Sequence, residues 1–295
     1  MIAKIQTWFK SLIKEARPDG PFESFYKSGQ IKCKGIYKDK NRDGPYESYY
    51  KNGHLESRGH YSADIKDGLW EEYFENDQLK FKGNYNNGQF DGSQEWFHSN
   101  GQIQEKQPYT SGKKDGAWEL FHENGQLRSR GNFKDGKRNG PFEVFYNNGQ
   151  LRSKGIHDND KRDGPYESCH ENGQPESKGL FTAGNKSGSW EECHDNGQLK
   201  SKGSCQDGQK DGPWEILHAN GQLKFTGLYI KGNPDGPFEV FDENGQMQFK
   251  ENYKHGKKDG LYESYDVNGQ LKTKGIFKNG ALDGPYEIYK DGVLQ

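Results

Sequence analysis

A glycine returns every 24 residues along this chain, at 20, 44, 68, 92, 116, 140, 164, 188, 212, 236, 260 and 284, with no insertion or deletion between them. So rigid a count admits few folds. Each span must be one structural unit stacked on its neighbours, because none is long enough to bury a core alone. With each of these glycines taken as position 0, others fall at position 9 (Gly53, Gly101, Gly125), position 15 (Gly35, Gly59, Gly83) and position 20 (Gly88, Gly112, Gly136). All 40 glycines obey this scheme except Gly292, one residue early in the last repeat. Fixed glycines mark backbone turns, where positive φ costs other residues more. Their placement decides between order and disorder. A mean hydropathy of −1.25 suits a chain that cannot offset its conformational entropy, but 14% aromatic residues and periodic glycines do not.

Two short segments lie between the turns of each repeat. The first carries an aromatic at position 2 (Phe22, Tyr46, Trp70, Trp118, Phe142), Glu at position 3 in all twelve repeats, and usually an aromatic at position 5. Asn-Gly follows at positions 8 and 9, which predicts a two-residue type I′ hairpin turn. The second segment alternates apolar or small residues at positions 11, 13, 15 and 17 with Lys or Arg at 12 and 14, the period of a strand. In that register paired positions sum to 17. Glu23 then faces Lys34, Glu47 faces Arg58 and Glu143 faces Lys154, with Thr226 the exception among eleven complete repeats. The aromatic at position 2 lies over the glycine at position 15. Parity places rings and leucines on one face. The other carries Glu, Lys and the position 5 column Phe25, Tyr49, Tyr73, Phe97, Phe121 and Phe145, the candidate partner-binding residues. In the fourth repeat Gln94 takes position 2, with Trp96 two residues on. The expected fold is all-β: an elongated array of twelve 24-residue hairpins over 19–295, an antiparallel meander, preceded by a short amphipathic helix.

That helix is expected over residues 1–18, "MIAKIQTWFKSLIKEARP". Ile2, Ile5, Phe9, Leu12 and Ala16 recur at three- or four-residue steps, Lys4, Lys10, Lys14 and Arg17 make it basic, and Pro18 helps to end it. It reads as a cap over the open edge of the first hairpin, or as an interfacial membrane anchor using Ile5, Trp8, Phe9 and Leu12.

Other chemistry is weighed against this frame. Forty-two basic against 44 acidic residues leave no footprint for nucleic acid. No apolar run approaches the length of a membrane-spanning helix. Cys33, Cys169, Cys193 and Cys205 show no paired spacing and follow no secretory leader, which suits a reduced, cytoplasmic setting, with peripheral placement at the inner membrane surface if residues 1–18 anchor it. His98, His122, His170, His194 and His218 all stand at position 6, beside Cys169 and Cys193 in two repeats. Adjacent strand residues point to opposite faces, so these read as substitutes for Tyr or Phe rather than zinc ligands. "DKNRDG" from Asp39 begins like a calcium loop, but Tyr50 stands where the bidentate Glu belongs, and a turn explains it. The twelve glutamates share one repeated environment, unlike a catalytic pair. No metal, no cofactor and no enzymatic activity are expected.

The stretch "NGPFEVFYNNGQLRSKGIHDNDKRDG", residues 139–164, resembles the variant MORN repeat, and the whole pattern over 19–295 is similar to bacterial proteins of the YwqK-type antitoxin family. The resemblance implies an extended β-hairpin array without catalytic residues. It also implies a partner that is another protein, a toxin in the antitoxin case, or a scaffold's place at a membrane. Neither the partner, the binding face nor the oligomeric state follows from it.

Overall fold

The computed structural model describes residues 18–290 and 292–295. Among them every regular element is a strand, and neighbouring strands pair antiparallel in chain order. The all-β meander stands. The helix assigned to residues 1–18 is not part of the observed fold: Pro18 is not helical, and residues 1–17, with Ile5, Trp8, Phe9 and Leu12, lie outside the described residues. Amphipathic spacing supplied that expectation, and spacing does not report the tertiary packing from which most helical stability comes.

The chain forms two compact units, one ending at Arg138 and one beginning at Asn139. In the first, Gly20–Phe25 pairs with Ile31–Lys38, Gly44–Tyr49 with Leu55–Ser62, and Ile65–Tyr73 with Leu79–Asn86. In the second, Gly140–Phe145 pairs with Leu151–Asp158 and Asn185–Cys193 with Leu199–Gln206. Glu23 faces Lys34, Glu47 faces Arg58 and Glu143 faces Lys154, as the position sum of 17 requires.

The turn that sets this register is not the expected one. Tyr26 N donates to Gln30 O at 2.8 Å and Gly29 N to Tyr26 O at 3.0 Å, so the loop has three residues, Lys27, Ser28 and Gly29. Of these only Gly29 has positive φ (87°). This is a type I turn closed by a glycine bulge. The extra loop residue moves the pairing beside the turn to a sum of 16, Phe25 against Ile31. A second bulge between Ser24 and Phe25 restores 17 from Ser24 and Cys33 onward. Two compensating bulges thus preserve the charge register while displacing the position 5 column by one residue. True two-residue turns with both φ positive lie between repeats, at Asp39 and Lys40 (50° and 67°) and at Asn87 and Gly88 (48° and 78°).

The loop asparagine has another purpose. Asn100 Oδ1 accepts from Gln102 N at 3.0 Å, holding its own turn. Its Nδ2 donates to Glu123 O in the next repeat at 2.9 Å. Asn148 and Asn220 do the same with Glu171 and Glu243. The position 6 residues stitch in parallel: Tyr26 Oη donates to Tyr49 O at 2.7 Å, and His170 and His218 place Nε2 3.1 Å from Cys193 O and Phe241 O. Asp91 and Asp235 accept from Ser111 N and His255 N, again one repeat on.

The core is a series of rings over bare backbone. Tyr61, Trp70 and Phe81 are buried in the first unit, and Phe181, Trp190, Cys205 and Trp214 in the second. A Cβ on Gly59 would fall 2.2 Å from the Trp70 indole, and on Gly203 2.2 Å from Trp214. Only glycine admits the ring there. The indole Nε1 donates to His60 O at 3.0 Å in one case and Ser204 O at 2.8 Å in the other. A cation closes each stack: Lys66 Nζ lies 4.2 Å from the Trp70 ring centre, Lys186 4.0 Å from Trp190 and Lys210 4.5 Å from Trp214. Each such contact is worth about 0.5–2 kcal/mol. Single-layer hairpins bury tryptophan because cation stems and neighbouring rings cover what a second layer would otherwise cover.

Candidate interaction surface

The face opposite these rings is the solvent-facing one, and its side chains run in three lanes. The central lane is the glutamate column with its basic partners. Although Lys34 is paired in register with Glu23, its ammonium bonds Glu47 of the following repeat at 2.8 Å. Lys154 reaches Glu167 at 2.9 Å, and Lys178, Lys202 and Lys250 reach Glu191, Glu215 and Glu263 at 2.8 Å. The same lysine therefore faces one glutamate on its own hairpin and another on the next, and the ion pairs bind repeat to repeat. Glu71 is the densest node, taking Arg58 at 2.5 Å, Lys82 at 3.5 Å and the Tyr73 hydroxyl at 2.9 Å. Burial works against its charge, but the Arg58 and Tyr73 hydrogen bonds outweigh it and hold its pKa below the ordinary carboxylate value. Glu47 and Glu263 are lowered chiefly by hydrogen bonds from Lys34 and Lys250.

The second lane holds the candidate residues Phe25, Tyr49, Tyr73, Phe97, Phe121 and Phe145. The structure places all six on the ladder face and ties several to the ladder itself. Tyr49 and Tyr73 donate to Glu47 and Glu71 two residues back. Lys34, Arg58 and Lys106 lie 5.7, 5.9 and 5.8 Å from the rings of Tyr49, Tyr73 and Phe121, in each case from the preceding repeat. These rings are half-buried. Phe25 has no cation over it among the described residues and is 55% exposed, the barest ring of the lane.

The third lane was not anticipated. It pairs position 1 with position 16, as in Pro21 with Ile36, Pro141 with Ile156 and Pro165 with Leu180. Ile36, Leu69, Ile156 and Leu180 are between 36% and 47% exposed, and the prolines beside them are exposed too. The signal was present, since seven of the eleven prolines stand at position 1. It went unread because proline within a strand suggests an edge or an interruption rather than a surface lane.

The buried face offers no comparable chemistry. Cys205 is buried and its thiol pushed up by burial. Ser48 with Ser57 and Ser168 with Ser177 pair their hydroxyls at 2.8 Å. His98, His170, His194 and His218 at position 6 each set Nε2 against a backbone carbonyl of the next repeat.

The MORN repeat variant family matches nine stretches of the chain: 18–39, 42–63, 66–87, 90–110, 114–135, 138–159, 210–231, 234–255 and 258–279. The hairpins Gly164–Cys169 with Pro175–Thr182, and Asn185–Cys193 with Leu199–Gln206, continue the pattern between the sixth match and the seventh. No curated protein matches the chain. Among solved structures it is similar to one described as "Crystal Structure of TcdB2-TccC3", at 11% identity and a TM-score of 0.19, over 92% of this chain and 17% of that one. With the matched stretches covering more than half of its residues, the chain belongs to the MORN repeat variant family.

Proposed function

We propose that this chain is a non-catalytic protein-binding array that holds another protein against its ladder face. The carrying observation is the composition of that face, in which exposed apolar and aromatic lanes flank a charge ladder already neutralised from within. Apolar side chains then supply affinity and the charged lane sets selectivity. In the antitoxin form of this reading the partner is a toxin, which binding neutralises. MORN repeats commonly bind proteins or membranes, which agrees with a binding role. The test is affinity capture from the native host with the unmodified chain and with Phe25→Asp. The reading expects one specific protein, retained less by the variant. Recovery of no specific protein counts against it.

A further inference from the structure

The ladder face is notched. Pro21, Glu23, Lys34, Ile36, Pro45 and Glu47 enclose one shallow depression, and Pro45, Glu47, Arg58, Leu69 and Glu71 the next. Pro45 and Glu47 belong to both, so the notches are contiguous. These two lie one repeat apart, which is two strand spacings, or about 9.6 Å.

A ligand that fills successive notches must present an apolar group at that interval. A polyproline II segment does so at every third residue, about 9.3 Å apart, and drifts by about 0.6 Å over two steps. An α-helix comes nearest with residues seven apart, about 10.5 Å, and drifts about three times as far. In an extended strand residues three apart point to opposite sides. We propose that the notches receive a proline-rich peptide in the polyproline II conformation, with prolines three residues apart, lying across the strands. This rests on the protein-binding reading and names the chemistry of the partner.

Charge adds direction. Lys34 and Arg58 are committed to Glu47 and Glu71, whereas Glu23 forms no ion pair among the described residues. A basic side chain of the peptide belongs at the Glu23 end. The walls recur in the second unit, where Pro141 pairs with Ile156 and Pro165 with Leu180. Each unit therefore takes one peptide.

Calorimetric titration of the full chain tests this. The probe is a synthetic peptide with one arginine followed by prolines at every third residue and alanines between. Its isomer, of the same composition, has prolines at every second residue. The spaced peptide is expected to bind at least tenfold tighter than the isomer, at two per chain. Ile36→Glu with Leu69→Glu should leave one site, and adding Ile156→Glu and Leu180→Glu should leave none, while tryptophan fluorescence reports an intact fold. Glu23→Gln should weaken only the site in the first unit, severalfold. Equal affinity for the two peptides overturns the proposal, as does stoichiometry that folded variants retain. If the affinity capture yields a partner while neither peptide binds, this inference falls and the protein-binding reading stands.

Discussion

Gln94 and Gln107 occupy the two places where the other repeats most often put a ring and a glycine. They are paired in register, and are 0% and 1% exposed. Gln94 Nε2 donates to Asn84 O at 2.9 Å and Gln107 Nε2 to Pro108 O at 2.8 Å. Two amides thus fill the volume of one ring over bare backbone, each with its donor satisfied, while Gln94 Oε1 has no hydrogen-bond partner among the described residues. Position 94 read alone looks like a lost core residue, and only the partner at 107 explains it. Gln94→Phe should therefore destabilise by about 1–3 kcal/mol through overpacking against the Gln107 side chain. Adding Gln107→Gly should recover most of that loss, and chemical denaturation of the two variants against the parent measures both. The converse holds at Gly59, where alanine would set a methyl into the Trp70 indole. About 3 kcal/mol is expected, at the upper end for an inserted methylene, because the ring is wedged between Tyr61 and the Lys66 stem.

At the scale of the hairpin, the sequence announced the ladder correctly but not its direction. The position sum yields Glu23 against Lys34, yet a lysine between two glutamates is free to choose, and the structure sends it forward to Glu47. Period and parity are local properties that a string of residues displays. The sense of a side chain between two equivalent partners depends on strand stagger, which it does not display. Likewise Asn-Gly named a turn but not its type, because asparagine is retained for its contact with the next repeat. The lowered pKa values of Glu47, Glu71 and Glu263 give a test of the ladder. A carboxylate whose folded pKa is depressed adds stability that is fully present above its unfolded value, near 4.5. That stability is lost as pH falls through the lower folded value. The denaturation midpoint should accordingly hold steady from neutral pH down to about 5 and decline below. In the triple variant Glu47→Gln, Glu71→Gln and Glu263→Gln the decline should be shallower, and an equally steep one would deny these pairs a stabilising part. The effect per pair is modest, since most of these side chains remain partly in water and exposed pairs are worth about 0–1 kcal/mol.

The period itself is a property of the whole array, and it makes the firmest prediction within the unit that begins at Asn139. Thr226 stands where the other repeats carry a cation, facing Glu215 on its own hairpin and Glu239 on the next. Deletion of 209–232 removes one complete period and would bring Lys202 against Glu239, closing the one gap in that unit's ladder. The shortened chain should fold, with a denaturation slope lower by about one-seventh in that unit, because the slope follows the surface exposed on unfolding. It should lose the Trp214 stack but keep the near-ultraviolet signal of Trp190. Deletion of 209–231, one residue fewer, returns the chain out of phase. Every side chain beyond the junction would then exchange faces, turning rings to water and glutamates to the core. That variant should show no cooperative transition in residues past 208. Two deletions that differ by one residue, with opposite outcomes, separate a lattice of fixed period from a chain that merely tolerates shortening, since the latter would treat them alike.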